Sequence, residues 1–171
     1  MKIIKNGHTI GIHPGYSCSD SLDLLKTCCD NYRTNIFNSY NQCGAINDSR
    51  FHYLKYNTKS HPTFLLEVNI KNDHSLAFAD KIGFRAGTSK SFPYFDFTSR
   101  TVSSVQCQPL IFMENSCFAS SNMDLSYGDS TFSRIENLYN MCEKHGGTFS
   151  FLWHNTELDS KIKKSFYRKM I

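Results

Sequence analysis

No Cys-x-x-Cys pair occurs among the seven cysteines of this chain, and their odd number leaves one over. That pattern argues against a zinc ribbon and a complete disulfide framework, and for reduced, buried thiols. No charged-then-apolar leader follows Met1, and no apolar run approaches a membrane span. The expectation is therefore a cytoplasmic protein without stable membrane insertion. Internal repeats and low-complexity segments are also missing, which removes solenoids and linker-rich arrays. The net charge is only +4, and much of the excess lies between Lys161 and Lys169. A balance that diffuse does not point to nucleic acid. Oligomeric state leaves no signature in the sequence.

What remains is globular: 171 residues, 40% hydrophobic and 14% aromatic, enough for one core and one domain over residues 1–171. Asn6-Gly7 reads as the stop of a helix tail, and Thr9 to His13 as a strand. Ser19 or Asp20 caps a helix whose Leu22, Leu25, Cys28, Cys29 and Tyr32 share a face. The Asn-rich run from Asn35 to Ser49 reads as loop. Pro62 opens a short helix, Ile70 to Arg85 is strand and loop, and Pro109 to Glu114 is a buried strand. Phe132, Ile135, Leu138, Tyr139 and Cys142 set a helical stripe that Gly146-Gly147 ends. Thr148 to Trp153 is a strand, and a last helix carries Ile162, Phe166 and Met170 on one face. Strands alternating with helices predict α/β with a largely parallel sheet.

Four stretches place polar side chains at strand ends or turns, where barrels and open sheets build active sites. They are Gly11-Ile12-His13-Pro14-Gly15-Tyr16, Arg50-Phe51-His52-Tyr53-Leu54, Gly83-Phe84-Arg85-Ala86-Gly87-Thr88 and Leu152-Trp153-His154-Asn155. Each has a plainer reading. His13 and His52 can be hydrogen-bonded, half-buried histidines, Arg50 part of an ion pair, Arg85 a loop brace, and His154 a strand-end cap beside a core Trp153. Asp80 and Asp96 read as ordinary loop carboxylates.

In this order the four stretches resemble the polysaccharide deacetylase family of metal-dependent carbohydrate N-deacetylases, in the divergent branch associated with bacterial polysaccharide loci. The resemblance spans Gly7 to His154. It implies an incomplete (β/α) barrel lacking its first strand or strands, acting on the acetyl groups of a cell-surface polysaccharide or oligosaccharide. Family members hold a divalent metal, zinc being the expected ion, through an Asp and two His. A second Asp is the base, and a late His protonates the departing amine.

Residue by residue, His13 matches the first metal histidine, although Pro14 replaces the usual hydroxyl residue and Ser17 the second ligand. His52 stands where the family's R-x-P-x-G motif has proline, and is the candidate to complete the metal set. Arg50 matches the arginine that orients the base. His154 matches the general acid, with Trp153 stacking on a sugar face. Arg85, Tyr16 and Tyr53 are the remaining substrate contacts. The family's paired acidic motif is missing, since no Asp-Asp pair occurs in the chain. The expectation is therefore the C-terminal portion of such a domain, with weak or absent zinc binding and little or no activity alone. The alternatives are a non-catalytic sugar-binding or structural remnant and another metal-dependent amidohydrolase.

Overall fold

The computed structural model describes residues 5–40 and 46–171. Cys43, the first residues of the expected helix tail and the middle of the expected Asn35 to Ser49 loop lie outside them. Gly7 adopts φ +82°, the left-handed geometry of a helix stop. The chain is mixed α/β, with parallel and mixed sheets, no closed barrel among the described residues, and two compact units. One runs to Leu76 and includes Phe92–Gln108; the other comprises Ala77–Ser91 and Pro109–Ile171.

The first unit holds α1 (Leu22–Tyr40), β1 (Asp48–Ser49), α2 (His61–Glu67), β2 (Asn72–Asp73), β3 (Phe92–Asp96) and β4 (Thr101–Cys107). Its sheet order is β1-β2-β4-β3, parallel except for the antiparallel β3–β4 hairpin. The stripe on α1 is as expected: Leu25 and Cys29 are buried, with Leu22, Cys28 and Tyr32 packed around them. A buried Leu is worth roughly 2 kcal/mol over an exposed one, so this face decides where the helix lies. The cap is Ser21, whose Oγ accepts the Leu24 N–H at 3.3 Å, one residue beyond the expected Ser19 or Asp20. The helix also runs to Tyr40, past the expected start of loop at Asn35. Ile36 continues the buried stripe, and no proline or glycine interrupts residues 33–40.

The strand expected from Thr9 to His13 is reduced to one parallel bridge between Ile12 and Ser49. The ladder starts normally: Ile12 N–H donates to the Asp48 carbonyl at 2.8 Å and Arg50 N–H to the Ile12 carbonyl at 3.0 Å. It also resumes, with His52 N–H on the Pro14 carbonyl at 3.2 Å. The rung between is lost because Pro14 has no N–H to give the Arg50 carbonyl.

The hairpin of β3 and β4 was not foreseen. Alternation buries Tyr94 and Asp96 from β3, and Ser103, Val105 and Cys107 from β4. Asp96, expected in a loop, ends β3 and accepts from Thr98 N–H at 2.8 Å, Ser99 Oγ at 3.0 Å and Thr63 Oγ1 at 3.1 Å. Those donors, the Thr98 amide first, hold its carboxyl below the usual range.

The second unit holds β5 (Phe112–Met113), α3 (Glu114–Phe118), α4 (Asp129–Lys144), β6 (Phe151–Leu152) and α5 (Lys161–Met170). β5 and β6 pair in parallel, Phe112 opposite Phe151 and Met113 opposite Leu152. Leu110 to Met113 are buried as expected of the apolar run, but Glu114 turns out to open a helix. α4 ends where the glycines predict: Gly146 N–H bonds the Glu143 carbonyl and Gly147 N–H the Cys142 carbonyl, with Gly146 at φ +63°. The strand expected over Thr148 to Trp153 shrinks to Phe151–Leu152. On α5, Phe166 is buried and Met170 packs beside it, whereas Ile162 is exposed. Among the described residues no helix is long and apolar enough to cross a membrane.

Candidate active site

The second unit places Glu114 at the end of β5 and His154 just after β6, so two adjacent parallel strands deliver a carboxylate and an imidazole together. Glu114 Oε1 contacts His154 Nδ1 and also accepts the His154 backbone N–H at 3.2 Å. A carboxylate only accepts, so the shared proton sits on Nδ1 and the lone pair of the neutral ring on Nε2. Glu114 is 1% exposed, while the His154 side chain is 43% exposed. A buried carboxyl group thus holds one edge of a histidine whose side chain is partly open to solvent. That is the arrangement of a histidine positioned for proton transfer. Glu114 Oε2 and Trp153 Nε1 are buried without a hydrogen-bond partner. A buried polar atom left unpaired costs about 1–3 kcal/mol.

Trp153 packs in the core rather than standing clear of it. Its ring lies among Phe112, Phe118, Phe166 and Tyr167, at centroid distances of 5.3–6.4 Å. Arg85 is exposed, and its guanidinium donates to the Ala77 carbonyl at 2.7 Å, which braces its own loop. Comparison with known protein families, with curated proteins and with solved structures returns no match.

His13, Tyr16, Arg50, His52 and Tyr53 belong to the first unit. The Arg50 carbonyl left over by Pro14 is met by His13 Nδ1, which puts the lone pair of the neutral ring on Nε2. The His13 ring stacks on His52, with centroids 3.8 Å apart and planes at 29°. Tyr53 adopts φ 58°, ψ 19°, and Leu54 follows at φ 52°. Two successive left-handed non-glycine residues are costly, and they display Tyr53 at 79% exposure. Tyr16, 55% exposed, meets it edge-on at 5.7 Å, with Lys55 Nζ 3.8 Å above the Tyr16 ring. Among the described residues no three His, Cys, Asp or Glu converge on a metal position. Two imidazoles make part of a zinc shell, since such sites take three or four protein ligands.

Arg50 Nε donates to the His74 carbonyl at 3.2 Å. Burial works against its charge and the nearby Asp73 carboxylate supports it. Asp73 is 0% exposed and accepts from Ser49 Oγ at 2.9 Å, Ser75 Oγ at 2.7 Å, Ser75 N–H at 3.3 Å and Tyr94 Oη at 2.8 Å. So enclosed, it holds the sheet together and has no access to a substrate.

Sequence reading missed both acids. Asp73 gave no signal beyond an acid on a short strand. Glu114 did: an acid closing the apolar run Leu110 to Met113 stands where parallel strands present functional groups.

Proposed function

We propose that this chain is a polysaccharide deacetylase-type domain in which His154, positioned by Glu114, gives the proton to the amine leaving an N-acetylated saccharide. The observation that carries the reading is the contact between a buried carboxylate and Nδ1 of a half-exposed histidine. Parallel pairing of Ile12, β1, β2 and β4, and of β5 with β6, supports an incomplete (β/α) barrel as the finer description of the fold.

Amide hydrolysis needs an activated water, a stabilised oxyanion and a proton for the leaving nitrogen. His154 supplies the last when its ring is protonated. Glu114 fixes the ring through Nδ1 and leaves Nε2–H as the donor, with its own charge beside the imidazolium. Tyr16 and Tyr53 offer exposed rings for sugar faces. Within the first unit taken by itself, His13 and His52 would weakly hold a divalent ion, zinc by the preference of imidazole donors, and such an ion supplies Lewis-acid chemistry. With no Asp-Asp pair to supply the family's base, turnover by this chain alone is expected to be slow.

The test is amine release from an N-acetylated chito-oligosaccharide with zinc supplied. Slow release that depends on His154 supports the enzyme. Binding of the oligosaccharide without release would favour a sugar-binding module built on Tyr16 and Tyr53.

A further inference from the structure

The Gly83-Phe84-Arg85-Ala86-Gly87-Thr88 motif has no part in the proton transfer above, yet its loop is held firmly. Gly83 N–H bonds the Ile111 carbonyl at 2.8 Å, and Gly87 N–H closes a turn on the Phe84 carbonyl at 3.0 Å. Gly87 takes φ +68°, a conformation that suits glycine. Thr88 Oγ1 accepts the Lys90 N–H at 3.0 Å, and the Ser89 carbonyl accepts Thr148 N–H at 3.0 Å. Gly147 lies so close to Ser89 that a Cβ there would sit 2.0 Å from Ser89 Oγ.

The loop so fixed and the C-terminal turn of α4 border an open cleft of about 440 Å³. That is within the range of sites for small molecules. Phe84 and Met141 give it an apolar wall, Thr88 and Ser89 bring hydroxyls, and Lys90 and His145 bring cationic or donor groups. No carboxylate lines it, and among the described residues neither Lys90 nor His145 forms an ion pair. A helix C-terminus ordinarily repels anions. Here the carbonyls of Met141, Cys142 and Glu143 are turned back onto the N–H groups of His145, Gly147 and Gly146.

We propose that this cleft binds a phosphate monoester carried on a ring-bearing small molecule. Lys90 and His145 hold the phosphate, the Thr88 and Ser89 hydroxyls share its oxygens, and Phe84 and Met141 take the ring. Neither His154 nor Glu114 lines the cleft, so the site stands or falls separately from the deacetylase reading.

The experiment is a ¹H–¹⁵N NMR titration of the full chain. The probes are N-acetylglucosamine 1-phosphate, adenosine 5′-monophosphate, N-acetylglucosamine and inorganic phosphate. At least one phosphorylated ring compound should shift the Gly87, Thr88, Lys90 and His145 amides saturably. It should bind about tenfold more tightly than either fragment alone, the worth of one charge-assisted contact. Whichever of the first two binds identifies the ring as sugar or nucleoside. Lys90→Ala and His145→Ala, both at exposed positions, should each weaken binding about tenfold, and His154→Ala should leave it unchanged. The proposal is overturned if neither phosphorylated compound shifts these amides at millimolar concentration. Equal affinity for the unphosphorylated sugar, or no effect of Lys90→Ala, would overturn it too.

Discussion

His13 Nδ1 donates to the backbone carbonyl of Arg50, the acceptor that Pro14 leaves without an amide. A proline in a ladder thereby fixes the tautomer of the neighbouring histidine. Pro14→Ala restores an N–H in register with that carbonyl, and the backbone donor competes with the imidazole. Long-range ¹H–¹⁵N spectra should show His13 protonated at Nδ1 in the parent and shifted towards the Nε2–H tautomer in the variant. Loss of the buried ring should lower stability by about 1–2 kcal/mol. An unchanged His13 tautomer would show that proline does not set it.

Glycine substitutions should separate by local space. A Cβ at Gly147 would meet Ser89 Oγ at 2.0 Å, Ser89 Cβ at 3.0 Å and the Ser89 carbonyl carbon at 3.1 Å. Gly147→Ala should therefore cost about 1–3 kcal/mol in urea unfolding, as overpacking does. Gly15 has open space around it and φ −62°. Gly15→Ala should be neutral, or stabilising by about 0.5 kcal/mol through the unfolded chain. The reverse ranking would contradict the packing at Ser89.

Burial pushes the thiols of Cys29 and Cys117 up to about 11 and that of Cys107 to about 12. Native alkylation with iodoacetamide at pH 8 should label the half-buried Cys28 well before those three. In the alkaline range the unfolded chain loses thiol protons that the folded chain keeps. Stability should therefore fall as pH rises from about 9 towards 11. Labelling of Cys107 as fast as Cys28 would refute the burial assigned to β4.

His61 is 0% exposed, accepts the Asn57 N–H on Nδ1 at 2.8 Å, and carries its proton on an Nε2 with no partner. Burial lowers its pKa, so the unfolded chain binds a proton that the folded chain refuses. Its contribution is complete above the unfolded value near 6.5 and declines as pH falls below it. His61→Phe should flatten the loss of stability between pH 6.5 and 5, and an unaltered profile would remove His61 from the account.

Periodicity and punctuation made the helices legible. Pro62 opened α2, Gly146-Gly147 closed α4, and the stripe from Leu22 to Tyr32 marked the buried face of α1. Strands were harder, because β1, β2, β5 and β6 are two residues long, too short for an alternation to register. β3 and β4 are long enough, but Pro93 disguised the first, being tolerated there because β3 is an edge strand. His154 was visible as a histidine after an apolar run. Glu114 carried the matching signal of an acid closing an apolar run, but their partnership did not show, because the two lie 40 residues apart and meet only through the β5–β6 pairing.

The central claim, that Glu114 and His154 form a proton-transfer pair, is tested most directly by kcat for amine release from an N-acetylated chito-oligosaccharide with zinc present. The parent, His154→Ala and Glu114→Gln should be compared across pH. The account predicts slow turnover by the parent, a fall of about 100-fold or more in His154→Ala, and in Glu114→Gln a lower kcat with a displaced pH profile and an unchanged KM. A His154→Ala variant that keeps the parent's kcat, or a parent that releases no amine above the uncatalysed rate, would contradict it.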